Sequence, residues 1–198
     1  MDNYELQAAQ ARAAFLGYDQ GQLIRKHRLT ADEEWLYTEL FHRSCRISRT
    51  AGTIQWLAGE IWVDGSGFGE TMTLLDLLCD SCEDRHPAGR LKNMADFGLM
   101  FHRQLLEQDP WAQRFQDRLA DFRKACEAMG AQPVNQGDVA YRFRVFEDLT
   151  LVVQLWLGDE EFPPNLRFLW DENALMYLRY ETMHFAKGLL LKRIYEAM

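Results

Sequence analysis

The chain has 198 residues, 47% of them hydrophobic and 13% aromatic, and 22 basic against 30 acidic residues give a net charge of −8. That length suits one well-filled core, and the apolar content with only five prolines excludes a disordered chain, so a single α+β domain over residues 1–198 is expected. No stretch gathers Lys and Arg into a basic stripe, which argues against nucleic acid as a partner, and no run approaches the ~18 apolar residues of a membrane span. The start, MDNYELQAAQ, carries acids where a signal peptide needs positive charge, and four cysteines do not make a secreted disulfide framework; a cytoplasmic protein is expected.

In chain order, Asp2 and Glu5 have capping-box spacing before a helix over 3–16, and Asp19 can cap a second, short helix. Between Thr30 and Trp62 a capping-box pair, Thr30 and Glu33, competes with alternation through Trp35, Tyr37, Glu39 and Phe41, then Cys45 and Ile47. The β-branched and aromatic content favours two strands around a turn near Arg43, followed by short strands at 54–57 and 60–63. A glycine-rich turn, Gly65, Gly67 and Gly69, leads into a buried helix over 71–81. Residues 86–98 are rich in turn formers and read as loop, with a short helix over 99–106. Asp109 as cap and Pro110 as first residue open one helix that Gly130 closes, with Trp111, Phe115, Leu119, Phe122, Cys126 and Met129 in a single stripe. Strands at 139–146, 149–157 and 166–170 and a last helix over 181–197 complete an α+β pattern with a mainly antiparallel sheet. The run Leu149–Leu157 has the composition of a strand buried on both faces.

That run stops at Gly158, and Asp159, Glu160 and Glu161 follow before Phe162, Pro163 and Pro164, which cannot extend a ladder. Asp171, Glu172 and Glu181 end the next apolar run. If the two strands bring their ends together, Asp159, Glu161, Asp171 and Glu181 have the oxygens to hold a divalent cation, and crowded carboxylates would raise one another's pKa values. The plainer alternative is that these acids solvate a strand end and cap turns.

Other constellations carry less. Glu39 and His42, Glu83 and His86, and Glu181 and His184 are each three apart, the helical spacing of di-iron carboxylate ligands, but a bundle of four long helices is lacking. Cys79 and Cys82 form a lone C-x-x-C at a helix C-terminus, where the dipole opposes a thiolate; zinc there with His86 would need a fourth ligand from Cys45, Cys126 or a distant His. The glycine-rich turn fits neither a dinucleotide motif nor a P-loop, and reads as a flexible helix entry.

Gly137-Asp138-Val139-Ala140, Trp156, Gly158 to Pro163, Leu169-Trp170-Asp171 and Tyr177 to Glu181 together resemble an uncharacterised prokaryotic family, domain of unknown function 3786, found mainly in anaerobes; Gly69 to Cys79 is similar too. Trp170 stands where the family has Phe, and Arg179-Tyr180 where it has Pro-Thr. The resemblance implies a soluble cytoplasmic domain and nominates Asp138, Asp159, Glu160, Glu161, Asp171 and Glu181, without an activity.

Three functions are compatible with these residues. The preferred one is binding of a divalent cation or small polar ligand at the acidic turn by Asp138, Trp156, Asp159, Glu160, Glu161, Asp171, Glu181 and His184. The second is a metal-assisted hydrolase or lyase on the same carboxylates, with His184 as proton carrier. The third is an interaction module in which Trp156, Phe162, Pro163 and Pro164 meet a protein partner or a second copy.

Overall fold

The computed structural model describes residues 3–97 and 110–198 and divides into two compact units. The first unit is Met1–Arg85 with Leu175–Leu189, and the second is His86–Ala174 with Leu190–Met198. Each contains an antiparallel five-stranded sheet, so the expected α+β class holds.

In the first unit, helix α1 (Asn3–Gly17) buries Ala8 and Phe15. Helix α2 (Gln20–His27) begins as expected at Asp19, whose carboxylate accepts the Gln22 N–H, and it ends where Arg28 turns left-handed and donates its N–H to Ile24 O. The alternating stretch then forms β1 (Thr30–Ala31), β2 (Trp35–Leu40), β3 (Arg43–Ser48), β4 (Ile54–Ala58) and β5 (Ile61–Asp64), a meander in chain order. Strand therefore wins over helix in this region. Cross-strand register explains why: Leu36, Ile47 and Ile54 pair on one face and are fully buried, whereas Tyr37, Arg46 and Gln55 pair on the other.

The glycine-rich turn serves as a packing junction. A Cβ on Gly65 would lie 2.1 Å from the Trp56 indole, and the Ser66 hydroxyl both accepts the Ile54 N–H and donates to Ile54 O. Helix α3 (Phe68–Cys79) follows, starting three residues before the expected boundary and burying Leu74, Leu75, Leu77 and Leu78.

The second unit holds β6 (Leu91–Asn93), a 3₁₀ turn at Met94–Asp96, α4 (Trp111–Asp117), α5 (Leu119–Ala128), β7 (Gln132–Pro133), β8 (Val139–Phe146), β9 (Leu149–Trp156) and β10 (Asn165–Asp171). Its sheet runs β6-β10-β9-β8-β7, which makes β9 the central strand and accounts for its burial on both faces. Helix α6 (Tyr180–Ala197) closes the chain and supplies residues to both units. Residues 86–98, expected as loop, contribute the short β6 along β10.

The single helix expected from Pro110 to Met129 is instead two, broken at Arg118, whose backbone (φ −127°, ψ 45°) is not helical. In an unbroken helix Phe115 and Phe122 would be separated by about 10 Å of rise. The break brings their rings into a stack at 4.8 Å, both fully buried, and Arg118 is held by Asp121 and by the main-chain oxygen of Met198. The capping roles of Asp2 and Asp109 and the helix over 99–106 fall outside the described residues.

Two glycines separate close contact from open space. A Cβ on Gly158 would stand 2.6 Å from Pro164 and 2.9 Å from Phe162 O, whereas Gly188 in α6 has nothing within 4 Å. Urea denaturation should show Gly158→Ala losing about 1–3 kcal/mol, because rigid backbone has to move. Gly188→Ala should gain about 0.5–1 kcal/mol from the lower chain entropy of alanine in a helix. Equal effects of the two substitutions would contradict this packing.

Candidate functional site

Within the second unit, the acids of the sequence-predicted site do not converge. Consecutive antiparallel strands leave the sheet at opposite ends, so the exits of β9 and β10 are apart. Trp156 pairs with Asn165, and Asp171 lies six residues further along β10, about 20 Å at the usual rise. Glu181 and His184 belong to the first unit, and Asp138, Trp156, Asp159, Glu160, Glu161 and Asp171 to the second. Among the described residues no group of three or more His, Cys, Asp or Glu is arranged to hold a metal ion. Asp159 and Glu161 thus lie at the end of the β9–β10 hairpin opposite to Asp171.

Hydrogen bonds show what most of these acids do. Asp159 Oδ1 accepts the N–H groups of Glu161 and Phe162 at 2.8 Å each, which holds the turn and its own carboxyl below the usual range. Asp138 Oδ2 accepts the Leu157 N–H at 2.9 Å. Asp171, 3% exposed, accepts from Ala88 and Gly89 through its two oxygens and from Asn173, pinning the 86–90 segment to the end of β10. Glu160 and Glu161 are exposed on the turn, and Glu181 on the first turn of α6, where His184 meets the Tyr180 ring edge-on at 5.0 Å. Trp156 and Leu157 are 39% and 38% exposed and Phe162 67%, an apolar tip on the proline-stiffened turn.

The glutamate–histidine pairs separate in the same way. Glu39 and His42 lie on β2 and its turn and Glu83 and His86 outside any helix, which leaves Glu181 and His184 as the pair with helical spacing on a helix. Burial pushes the Cys79 thiol up to about 12, which removes it as a ready thiolate. On the first sheet, the Arg46 guanidinium lies 4.0 Å from the Trp35 ring and 4.6 Å from Trp62 while donating twice to Gln55 Oε1. Arg46 thus already takes up these rings, as a packing ladder does.

A different group of residues comes together inside the first unit. A cleft of about 400 Å³ lies among α1, α3 and the start of α6. Ala11, Ala14, Met72 and Leu75 give it an apolar wall, Gln7 and Gln10 contribute amides, and Tyr18, Asp76, Cys79, Asp80, Arg179 and Thr182 form a polar end. Asp76 and Asp80, one helical turn apart, are the two carboxylates of that end. Asp76 Oδ2 accepts the backbone N–H of Arg179 at 3.0 Å, and Tyr18 donates to Asp80 Oδ1 at 3.0 Å. The Arg179 side chain reaches Asp80 Oδ2 at 2.5 Å and sets its Nε 3.4 Å from Asp76 Oδ1. That Oδ1 is buried and accepts no hydrogen bond.

Asp76 is 7% exposed, and burial raises its pKa. The Thr182 hydroxyl, the Arg179 N–H and the Arg179 charge pull it down, while the Asp80 carboxyl pushes it further up. Because the Arg179 side chain is 65% exposed, screening leaves its ion pairs about 1 kcal/mol or less of stabilisation. The polar end is thus a buried, incompletely satisfied carboxylate covered by a mobile class of side chain, one with many rotamers to choose from.

No sequence motif marked this cleft. The available signal was Asp76 itself, one carboxylate inside the run Leu74-Leu75-Asp76-Leu77-Leu78, where an unpaired acid is costly. Asp76 falls in the stretch Gly69 to Cys79 that is similar to the family, whereas Arg179, which donates its backbone N–H to Asp76, stands at one of the positions where this chain departs from it.

The raised pKa sets a sign for stability. The native state binds a proton at Asp76 more tightly than the unfolded chain, so stability falls as pH rises from the ordinary value of 3.8 through the raised one. Asp76→Asn removes that loss. Calorimetric melting from pH 3.5 to 8 should show the Asn variant gaining on the wild type across this window and then keeping a constant difference. A difference that does not change with pH would contradict the burial of an ionising Asp76.

The family described as a domain of unknown function, DUF3786, matches residues 19–193. No curated protein and no solved structure matches the chain. No helix among the described residues is long and apolar enough to cross a membrane. With 19–193 covered, the chain belongs to the DUF3786 family.

Proposed function

We propose that this member of the DUF3786 family is a binding protein for a small organic molecule, held in the cleft of the first unit. The observation that carries this reading is the Asp76 Oδ1 atom: a buried acceptor with no hydrogen bond, at the polar end of a cleft of about 400 Å³. Leaving such a group unmade costs about 1–3 kcal/mol, and a ligand donor recovers it. The apolar wall and the few convergent polar groups are the usual make-up of a small-molecule site, and the volume is within the usual range of ~300–1,000 Å³. This keeps the small polar ligand expected from the sequence and moves its site from the acidic turn to α3.

Ala14 is exposed on α1 and lines the cleft, so Ala14→Trp fills the space without disturbing the core. A fragment set of cationic, neutral and anionic small molecules, screened by ligand-observed NMR, should yield binders to the wild type that the Trp variant loses. Fragments that bind both proteins equally, or none that bind the wild type, would reject the cleft as the site.

The exposed Phe162 tip supports the interaction module as a second reading. Sedimentation equilibrium is expected to show self-association that Phe162→Ser weakens at least tenfold. A wild type that stays monomeric at high protein concentration removes the second copy as its partner.

A further inference from the structure

The charge of the polar end narrows the ligand class, an inference that rests on the cleft being the binding site. Its charged side chains are two carboxylates, Asp76 and Asp80, and one guanidinium, Arg179; Tyr18, Cys79, Thr182 and the glutamines Gln7 and Gln10 are neutral partners. Arg179 binds Asp80 through Nη2, but at Asp76 Oδ1 it offers only a 3.4 Å approach of Nε, without a hydrogen bond. The two acids are not equally served. The shallower Asp80 has Tyr18 and Arg179, and the deeper Asp76 is left with one oxygen unfilled.

We propose that the cleft takes a primary ammonium compound with an apolar body, whose –NH₃⁺ group displaces the Arg179 side chain from Asp76 and donates to Asp76 Oδ1. An ammonium is compact and carries three rotatable donors, so it can reach an oxygen that the planar fork of a guanidinium fixed on Asp80 does not. Its alkyl part lies along Ala11, Ala14, Met72 and Leu75. A carboxylate or phosphate ligand would have the opposite effect. To bind Arg179 it would draw the guanidinium off both acids and bring a third negative charge to a buried, uncompensated Asp76. Arg179, largely exposed, is the side chain free to swing outward, while its backbone N–H stays on Asp76 Oδ2.

Isothermal titration calorimetry of the full chain at pH 7 with n-hexylammonium, n-hexanoate and n-hexanol tests this class. Hexylammonium should bind, Ala14→Trp should abolish that binding, and Asp76→Asn should weaken it at least tenfold. Arg179→Gln should leave it unchanged or tighten it several-fold, because the competing cation is gone. Melting temperatures of the variants near that of the wild type establish that each is folded. Binding of hexanoate or hexanol that Ala14→Trp abolishes, without binding of hexylammonium, would overturn the ammonium class and leave the cleft as the site. Loss of hexylammonium binding in Arg179→Gln would also overturn it, since Arg179 would then be a contact and not a competitor. Hexylammonium binding that Asp76→Asn leaves intact would do the same.

Discussion

The burial of one carboxylate, Asp76, is the constraint from which the first unit's functional geometry follows. A helix that buries Leu74, Leu75, Leu77 and Leu78 has no use for a buried acid among them unless something beside it offers donors. The start of α6 supplies them, through the backbone N–H of Arg179 and the hydroxyl of Thr182. A backbone donor cannot be removed by side-chain motion, so it fixes the chain path entering α6 relative to α3. The side-chain donors are adjustable, and the unsatisfied Oδ1 lies on that adjustable side. One oxygen of Asp76 holds the backbone entering α6, and the other has only the 3.4 Å approach of the Arg179 side chain.

The second unit depends on a different rule, the alternating direction of its strands. Because β8, β9 and β10 are all antiparallel neighbours, each turn collects residues from the end of one strand and the start of the next, never from the ends of both. Asp138 and the 157–162 turn meet for this reason: β8 starts where β9 ends, and Asp138 receives the Leu157 N–H. Asp171 ends β10 at the other edge of the hairpin, where it anchors the 86–90 segment through the N–H groups of Ala88 and Gly89 and its own turn through that of Asn173. The acids that looked like one cluster in the sequence are two separate loop anchors and an exposed remainder.

Much of the fold was legible because it is written in local patterns. Asp19 marked a helix start, the alternation from Val139 marked a strand, and the near-continuous apolar run of β9 marked the central position in its sheet. The turn between β2 and β3 was harder to place. It falls on Phe41 and His42, both at positive φ, and neither is a residue type that announces a hairpin turn. The break at Arg118 was invisible because no proline or glycine produces it; it follows from the stacking of Phe115 on Phe122, a tertiary contact. Trp170, where the resemblance suggests Phe, is fully buried with its indole N–H unpaired, so here a larger side chain fills the core at the expense of a donor.

The candidate site was less legible than the fold, for a reason of physical scale. A sequence advertises charges that occur in groups, and Asp159-Glu160-Glu161 is such a group; yet acids that are adjacent in a turn are commonly solvated or satisfied by that turn's own N–H groups. What makes a carboxylate chemically available is burial without full satisfaction, and burial is set by residues far away in the chain. Asp76 acquires its properties first from burial and then from Thr182 and the Arg179 N–H, which stand more than a hundred residues later. The more useful sequence signal is therefore the solitary acid inside an apolar helix, because it requires an explanation that an acidic turn does not. In this chain that requirement leads to a cleft in which an apolar wall, a carboxylate pair and the Arg179 guanidinium meet.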